Sequence, residues 1–525
     1  MLDLMIASAT VVDGDGGPGY LASVGVQGGR VVTIARDPSI AEPPAVRRLD
    51  GAGLVLTPGF VDVHSHSDLS PLVEPTMPST IRQGVTTVVV GNCGSSPWPA
   101  SQAAELATWA GGDPEAMDLD LGSFGDFLAR TEAAGPATHV ASLIGHGALR
   151  SLAMGSERRP PTDEELGAMR RGVRDAMDQG AVGLSTGLIY VPGMHAATDE
   201  IVSLAEEAAS AGGVYATHVR GEGEHVFRAV DEAIAIGRRA ELPVHISHLK
   251  CESSLVWGRA RDLLDRVHAG GDVTGDQYPY AAWASVLWSL LPDWAPVGSL
   301  PDLLGDPATR GRLVAAVERG EGDAFQSSVN GVGWDRIVIE TTADRTCNGM
   351  SMAAIGDARG VEPVEACFQL LVEEPETTCI GHAMHEDDVR TILADPDVMV
   401  ASDATSIAPD GPMAHVPVHP RTYGTFPRVL GPAVRGGVLT LEEAVRKMTS
   451  LPADRFGLSG RGRISEGSWA DLVLFDRATV RDVASYDRPH ALPDGIEAVI
   501  VEGTVSWRRG DETIERAGRV LRAGS

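Results

Sequence analysis

Short apolar runs alternate with longer amphipathic stretches through the middle of this 525-residue chain. The run Val85–Val90 is short and rich in β-branched residues, which is typical of a buried strand. Residues 162–179 carry apolar positions at helical spacing, and Thr162 and Glu165 form a capping-box pattern at their start. A second amphipathic helix is predicted over residues 199–211. Recurring strands and helices predict a parallel sheet with right-handed helical crossovers.

Both ends of the chain show a different pattern, in which short apolar runs are separated by glycine turns. Residues 1–54 and 463–525 share this pattern, which predicts one small β-sandwich domain built from both chain ends. Residues 55–462 then form the α/β domain. Within it, residues 285–350 interrupt the alternation of strands and helices. We expect an inserted lid or substrate-facing segment there, or alternatively a plain packing insertion.

Two histidines end one of the predicted strands. His64 and His66 follow an apolar run that begins at Phe60. Side chains at positions i and i+2 of a strand share a face, so both imidazoles leave the strand on the same side. Two neutral imidazoles at the end of a buried strand form half of a metal site and suit zinc, iron, nickel or copper. The remaining ligands must distinguish among these metals.

Four later apolar runs also end in a residue that can bind or serve a metal: Cys93, His218, His248 and Asp403. The carboxyl ends of the strands of a (β/α)8 barrel meet at one mouth, so a single barrel would bring these residues together. Gly91 and Gly94 flank the cysteine, and the backbone can bend there to aim the thiolate inward. A cysteine, histidine and aspartate set favours zinc over magnesium or calcium. Isolated histidines are expected to be packed or solvated: His139, His245 and His268.

Composition limits the partners and the compartment. The formal net charge is -29 and the sequence pI is near 4.8, whereas binding to nucleic acid or to an anionic membrane requires a basic surface. The five cysteines show no paired spacing, and no apolar leader opens the chain. These features predict a reduced, cytoplasmic protein. Apolar runs stay shorter than the roughly 18 residues of a membrane-spanning helix. We therefore expect a small-molecule substrate as the partner, and neither nucleic acid nor membrane.

Seven short motifs, spread along the chain, carry a resemblance to a known family. They are His64-Ser65-His66, Gly91-Asn92-Cys93-Gly94, Thr217-His218-Val219-Arg220, Ile246-Ser247-His248-Leu249-Lys250, Asp276-Gln277-Tyr278-Pro279-Tyr280, Ser402-Asp403 and the segment 419–428, which begins His419-Pro420-Arg421. With these motifs the chain resembles the N-acyl-D-amino-acid deacylases, or D-aminoacylases, of the amidohydrolase superfamily. The resemblance covers residues 1–525. It implies a (β/α)8 TIM-like barrel with a small β-sandwich domain formed by both chain ends.

The resemblance also implies roles for the metal-binding candidates. Cys93, His218 and His248 would hold one tight zinc ion, and His64 and His66 would form a weaker second position. Asp403 would then act as the catalytic base, which deprotonates a zinc-activated water and hands the proton to the departing amine nitrogen. A structural alternative makes Asp403 an anchor for one of the histidines. The implied reaction is zinc-dependent hydrolysis of the amide bond of N-acyl-D-amino acids, which releases a carboxylic acid and a D-amino acid.

The resemblance assigns the substrate contacts as well. Arg421 would bind the α-carboxylate, for which a planar guanidinium is suited. Further substrate contacts are expected from four residues: Lys250, Tyr278, Tyr280 and Ser285. The segment 404–418 looks longer than in the D-aminoacylases, and we expect it to shape the pocket for the side chain. His146 and His382 also end apolar runs and are expected near the mouth, outside the ligand set.

Other function classes are possible, and each requires particular residues that can be sought in the sequence. A hydantoinase-like binuclear site would require a bridging lysine in the predicted strand 180–186, but the chain has lysine only at Lys250 and Lys447. A deaminase would require an aromatic pocket that stacks on a base. A non-catalytic scaffold would have lost ligands that this chain retains. A metal-dependent amidohydrolase that acts on a different linear or cyclic amide remains the main alternative.

Overall fold

The computed structural model describes residues 1–37, 43–292, 294–320, 327–342, 345–414 and 416–524. Its strands are β1 (Leu2–Val11), β2 (Tyr20–Gln27), β3 (Arg30–Ala35), β4 (Ala45–Asp50), β5 (Val55–Pro58), β6 (Phe60–Asp62), β7 (Val85–Val90), β8 (His139–Ser142), β9 (Ile144–Gly145), β10 (Gly183–Gly187), β11 (Val214–His218), β12 (Val244–Ile246), β13 (Val273–Gln277), β14 (Trp283–Val286), β15 (Ile337–Thr341), β16 (Thr378–Gly381), β17 (Val398–Val400), β18 (Leu472–Phe475), β19 (Ile496–Val501) and β20 (Thr504–Arg508). Its α-helices are α1 (Ser70–Val73), α2 (Pro78–Ile81), α3 (Ala103–Trp109), α4 (Phe124–Ala134), α5 (His146–Met154), α6 (Asp163–Asp178), α7 (Thr198–Ser210), α8 (Val226–Ala240), α9 (Ala260–Ala269), α10 (Leu300–Gly305), α11 (Pro307–Arg319), α12 (Met352–Arg359), α13 (Pro363–Glu373), α14 (Glu386–Ala394), α15 (Arg421–Arg428), α16 (Leu441–Met448) and α17 (Ser450–Arg455).

The central strands form a closed parallel barrel. β6, β7 and β8 pair in parallel, and so do β9, β10, β11, β12, β13 and β17. Only Leu143 separates β8 from β9, so these two segments make one barrel strand. A parallel bridge between Ser65 and Ala404 closes the ring, and the Asp403 N–H donates to the His64 carbonyl at 2.8 Å. The closure places the ends of β6 and β17 side by side at the carboxyl mouth.

The local signals in the sequence explain why these elements form. All six residues of β7 are buried, as a parallel strand covered on both faces requires. Helix α6 begins with the predicted capping box, in which Thr162 and Glu165 exchange side-chain and backbone hydrogen bonds. The helices predicted over 162–179 and 199–211 correspond to α6 and α7. The predicted (β/α)8 barrel is therefore confirmed.

The two chain ends meet in one sheet of eight strands. Within the described residues its order is β20-β19-β18-β5-β1-β2-β3, and β4 pairs with β1. Side chains from both ends, such as Leu4 and Val24 with Leu472 and Ile500, share one apolar core. The predicted small β-domain formed by both chain ends is thus confirmed. Its limits, 1–54 and 463–525, stay a prediction, although β5 belongs to the sheet and lies beyond residue 54.

A separate apolar core lies beside the barrel mouth. It runs from Tyr278 to Val389 and includes the three-stranded antiparallel sheet β14-β16-β15. The predicted insertion, residues 285–350, lies within the stretch of chain that forms this core, and that stretch extends beyond both limits of the prediction. Strand β14 lies next to the barrel mouth, because the Ala284 carbonyl accepts a hydrogen bond from Arg421 at 3.5 Å. The lid or substrate-facing role of this segment stays a prediction.

The five cysteines differ in their surroundings. All five cysteines are free thiols. Four of them are buried in apolar surroundings: Cys251, Cys347, Cys367 and Cys379. Cys93 differs from these, since it lies at the barrel mouth among polar groups. Across the part of the chain that the structure describes, no helix has the length and apolar character needed to cross a membrane.

Candidate active site

Cys93 lies among three imidazoles at the barrel mouth. Its Sγ is 3.4 Å from His64 Nε2, 3.7 Å from His218 Nδ1 and 3.8 Å from His248 Nε2. A tetrahedral zinc ion with bonds of about 2.0–2.3 Å holds its ligand atoms about 3.3–3.8 Å apart. Cys93, His64 and His248 form a group whose donor atoms are mutually spaced for a metal, and His218 groups instead with Glu222 and His248. The mixture of one thiol with imidazoles fits zinc.

The backbone at these residues adopts a conformation that side chains normally avoid. The φ angles of Cys93, His248 and Asp403 are 53°, 36° and 50°, in the left-handed region. The predicted glycine bend is present at Gly91, where φ is 78° and a Cβ atom would lie 2.2 Å from the Leu143 carbonyl oxygen. Such conformations persist where the surroundings hold them, and they concentrate at functional sites.

The charge state of Cys93 suits metal binding. Burial alone raises the pKa of the thiol, but contacts with His64, His218 and His248 lower it well below its usual value. The thiolate is the form that binds a metal. The protein therefore favours the metal-binding form of this side chain.

Glu222 is a functional residue that the sequence analysis missed. Its Oε1 lies 2.8 Å from His248 Nδ1 and accepts a hydrogen bond from Lys250 Nζ at 2.5 Å, and its Oε2 lies 3.5 Å from His218 Nε2. A carboxylate that accepts from Nδ1–H of His248 leaves Nε2, which faces Cys93, free to bind a metal. Burial raises the pKa of Glu222, but Lys250 and the two histidines lower it overall. The only sequence signal was its position four residues after His218.

Two buried aspartates inside the barrel, Asp276 and Asp62, hold the backbone and side chains next to the candidate ligands. Asp276 Oδ2 lies 2.8 Å from His245 Nε2 and 3.5 Å from His64 Nδ1, and Asp276 Oδ1 accepts the His248 backbone N–H at 2.8 Å. Asp62 Oδ1 accepts the Ser402 N–H at 2.9 Å, next to Asp403. Burial, partly opposed by Ser402, raises the pKa of Asp62 to about 7. Both aspartates therefore hold the ends of barrel strands in place.

Asp403 makes contacts through both carboxylate oxygens. Oδ1 lies 3.2 Å from His66 Nε2 and 3.4 Å from His64 Nε2, and Oδ2 accepts a hydrogen bond from Arg421 Nη1 at 2.7 Å. Burial raises the pKa of this carboxyl, but Arg421 and the histidines lower it well below its usual value. Asp403 is therefore ionised. With His64 and His66 it also forms a second set of donors that fits a metal.

The structure separates the predicted substrate-binding residues into near and distant ones. Arg421 is buried beside Asp403, and its guanidinium lies 4.8 Å from the centre of the Tyr278 ring. Within the described residues the Tyr278 hydroxyl has no hydrogen-bond partner. Ser285 lies near Tyr190, where burial raises the pKa of the tyrosine hydroxyl and Ser285 partly lowers it, and the Tyr190 ring meets the His218 ring edge-on at 5.0 Å. Tyr190 was not predicted.

Tyr280 and Lys250 have other neighbours. The Tyr280 ring lies under the guanidinium of Arg428, at 4.5 Å, and not under Arg421. Lys250 is buried and bound to Glu222, so its ammonium group is tied to the environment of His248. The structure thus places Tyr278 against Arg421 and Tyr280 against Arg428.

Five further histidines that the sequence singled out lie outside the two donor sets described above. His146 Nε2 is 2.9 Å from Glu200 Oε1, and the His382 ring packs on Tyr486. The three isolated histidines bind carboxylates by hydrogen bonds: His139 to Asp471, His245 to Asp276 and His268 to Asp395. His139 and His245 are buried, and His268 is partly exposed. Their packed or solvated character is as predicted.

A metal-fitting donor set at the mouth of a (β/α)8 barrel, with an ionised aspartate beside it, defines the class of metal-dependent barrel hydrolases. The sequence matches the model of the amidohydrolase family over residues 48–506. It is 38% identical to the N-acyl-D-glutamate deacylase and 36% identical to the D-aminoacylase of Alcaligenes xylosoxydans xylosoxydans, over 99% of this chain and 96% and 97% of those relatives. The chain belongs to the D-aminoacylase group of the amidohydrolase family.

A solved relative supports the same assignment. The N-acyl-D-glutamate deacylase of Bordetella bronchiseptica, complexed with zinc and a phosphonate inhibitor that mimics the tetrahedral intermediate, is 34% identical to this chain. The TM-score is 0.82, and the match covers 99% of this chain and 100% of that chain. The family resemblance inferred from the seven motifs is therefore confirmed.

Zinc content tests the ligand assignment. We expect at least one tightly bound zinc per chain in the purified protein, and its loss in Cys93→Ala, His218→Ala and His248→Ala, because each change removes one of three ligand atoms. Elemental analysis after dialysis measures this content. His66→Ala is the matched control and keeps the tight zinc. Full retention in the first three variants contradicts the assignment.

Proposed function

We propose that the protein is a zinc-dependent hydrolase that cleaves the amide bond of N-acyl-D-amino acids and releases a carboxylic acid and a D-amino acid. The observation that carries this proposal is the position of Asp403. Its carboxylate lies between His64 and His66 on one side and the guanidinium of Arg421 on the other. This position supports the proposal that Asp403 carries the proton and Arg421 binds the substrate carboxylate, next to a site that fits zinc.

The chain's own residues divide the chemistry in the following way. Cys93, His218 and His248 would hold the ion, which when bound supplies Lewis-acid chemistry that polarises the amide carbonyl and activates water. Asp403 Oδ1 accepts the proton of the attacking water, because Oδ2 is held by Arg421. The same carboxyl then donates that proton to the amide nitrogen as it leaves. Proton delivery is required because an amine anion is a poor leaving group.

Arg421 binds the α-carboxylate of the substrate in this proposal. Its guanidinium already binds one carboxylate, Asp403, with a donor distance of 2.7 Å, and is buried. A buried guanidinium binds a carboxylate with two parallel hydrogen bonds and strong charge assistance. The substrate carboxylate would replace part of the contact with Asp403, and the released carboxylate oxygen would gain freedom to move a proton. Tyr278 and Ser285 would line the same space, with Lys250 and Tyr280 behind them.

A weaker second metal position is proposed at His64 and His66. Asp403 lies within 3.4 Å of both imidazoles, so its carboxylate would be a third donor there. A metal bound at that position would compete for the group that carries the proton. We propose one tight zinc for the working enzyme on this ground. The cytoplasmic location predicted from the unpaired cysteines stays a prediction.

The substrate class is tested with matched enantiomers. Purified zinc-loaded protein is assayed on a panel of N-acetyl-D- and N-acetyl-L-amino acids, and the released amine is measured. We expect a strong preference for the D-forms, because inverting the α-carbon moves the side chain into protein when the carbonyl and the α-carboxylate are both held. Comparable rates on both enantiomers refute the D-specific function and leave a zinc amidohydrolase of other specificity.

A further inference from the structure

A long loop joins the candidate base to the candidate carboxylate-binding residue. It follows Asp403 and ends before α15, whose first residue is Arg421. The residues described in it, 404–414 and 416–418, contain neither a helix nor an extended strand, although Ala404 forms the bridge to Ser65. Its conformation therefore depends on side-chain contacts, since it lacks the backbone ladder of a regular element.

One pair of side chains binds both ends of this loop. The Tyr423 hydroxyl donates to the Ile407 carbonyl at 2.9 Å, near the start of the loop. His490 Nε2 donates to the Val416 carbonyl at 2.7 Å, near its end. The Tyr423 oxygen also lies 3.1 Å from His490 Nδ1, so its single hydroxyl proton is shared between this nitrogen and the Ile407 carbonyl. We call Tyr423 and His490 the staple.

The two halves of the staple come from different parts of the fold. Tyr423 is fully buried in α15, whereas His490 lies in the connection between β18 and β19 of the small β-domain. That connection reaches the barrel mouth at two further points. The Tyr486 hydroxyl lies 3.3 Å from His419 Nε2, and the Asp482 carboxylate binds Arg428 at 2.8 Å. The connection between β18 and β19 therefore contacts the loop, His419 two residues before α15 and Arg428 at the end of α15.

His419 links these contacts to Arg421. Its Nδ1 accepts the backbone N–H of Arg421 at 3.1 Å, and its Nε2 lies 3.1 Å from the Ala282 carbonyl. A donor at Nε2 leaves Nδ1 as the acceptor, so one tautomer satisfies both bonds. The backbone that carries the guanidinium is thus fixed by a histidine that the small β-domain itself contacts.

We propose that the staple is a positioning device, by which the small β-domain sets the separation between Asp403 and Arg421 and so the selectivity for N-acyl-D-amino acids. This inference rests on the proposed function. In such a substrate only the amide nitrogen and the α-carbon separate the scissile carbonyl from the carboxylate, so their spacing is fixed. A displacement of about 1 Å between the two protein groups is enough to lose a large part of the rate.

His490→Ala tests the staple in the full-length, zinc-loaded protein. Val416 then loses its donor and Tyr423 keeps only Ile407. We expect KM for N-acetyl-D-amino acids to rise about 10-fold, kcat to change less than about 3-fold and the preference for D over L to fall. Amide hydrogen exchange should accelerate in the peptide that covers 404–418. The zinc content should stay that of the wild type.

Three further variants and one control variant make the test specific. His490→Gln retains a nitrogen donor for Val416 and should restore part of the KM, while Tyr423→Phe should resemble His490→Ala. The free-energy loss calculated from KM should be smaller in the double variant than the sum of the losses in the two single variants, because the two side chains act as a unit. His268→Ala is the control: it is a partly exposed histidine bound to Asp395, at the amino end of β17 and away from the mouth.

A folded, zinc-loaded His490→Ala protein with unchanged KM, unchanged enantiomer preference and unchanged exchange overturns the proposal. A lower melting temperature with unchanged KM and preference also overturns it, since that result describes a purely structural contact. If the wild type hydrolyses no N-acyl-D-amino acid, the proposed function fails by itself. The exchange measurement then decides the staple alone: faster exchange at 404–418 supports it, and unchanged exchange overturns it.

Discussion

Asp403→Asn is expected to keep the tight zinc and to lose most of its turnover. The amide preserves the shape of the side chain but cannot accept the proton of the attacking water. Loss of a general base typically lowers kcat about 100-fold or more, which is roughly 2.7 kcal/mol of transition-state stabilisation. The zinc is retained because the change leaves Cys93, His218 and His248 intact. Steady-state kinetics with elemental analysis of the same sample measure both effects.

Substrate binding should behave differently from turnover in this variant. Under the proposed function, Asp403 competes with the substrate carboxylate for Arg421 in the wild type, since the two side chains are paired at 2.7 Å. An uncharged asparagine removes that competitor, so KM for N-acetyl-D-amino acids should stay constant or fall. Asp397→Asn is the control, because this aspartate is exposed and precedes β17 at the opposite end of the barrel. Near-normal turnover in a fully zinc-loaded Asp403→Asn protein would show that another group carries the proton.

The fold could be predicted largely from local patterns. The buried run of β7 and the capping box of α6 each specify an element, and strand–helix alternation then specifies a parallel sheet. Closure of the barrel depends on one bridge, Ser65 to Ala404, between positions far apart in sequence. No local pattern encodes that pairing. The sequence supported closure of the barrel in two ways only. The metal-binding residues at the strand ends must lie close together to form one site, and the family resemblance implies a barrel.

The candidate site could be predicted where a metal-binding residue ends a strand. Cys93, His218, His248 and Asp403 follow that rule, and the structure brings them to one mouth. Glu222 does not follow it, because it lies in a glycine-rich turn where an exposed carboxylate is the ordinary expectation. Its burial against two histidines depends on how the chain reverses after β11. A carboxylate that supports ligand histidines is placed by tertiary packing. The spacing of residues along the sequence therefore does not reveal it.

The direct pairing of Asp403 with Arg421 was also beyond sequence reasoning. The two residues were assigned separate roles, as base and as carboxylate anchor, and the loop between them gave no geometry. In the structure each holds the other, and the Tyr278 ring lies against the guanidinium. The roles therefore cannot be tested by activity alone, because removal of either residue also changes the charge environment of its partner.

Arg421→Met is expected to lower kcat/KM for N-acetyl-D-amino acids about 100-fold or more, and to affect the matching N-acetyl-D-amino-acid amides much less. Methionine fills a similar volume but cannot bind a carboxylate, and loss of one partner of a buried charge pair costs about 2–5 kcal/mol. The variant has a second effect, since Arg421 also lowers the pKa of Asp403. That effect falls on acid and amide substrates alike, so the acid-to-amide ratio of kcat/KM isolates carboxylate binding.

Arg428→Met supplies the matched control for this ratio. Arg428 belongs to the same helix, stacks on Tyr280 and binds Asp482, so its loss disturbs α15 without removing the guanidinium beside Asp403. We expect the acid-to-amide ratio of Arg428→Met to stay that of the wild type, even where its stability falls. An Arg421→Met protein that discriminates acid from amide as the wild type does would remove Arg421 from the carboxylate site. The D-preference would then require a different second anchor, because a carbonyl held at the metal fixes only one point of the substrate and cannot by itself distinguish enantiomers.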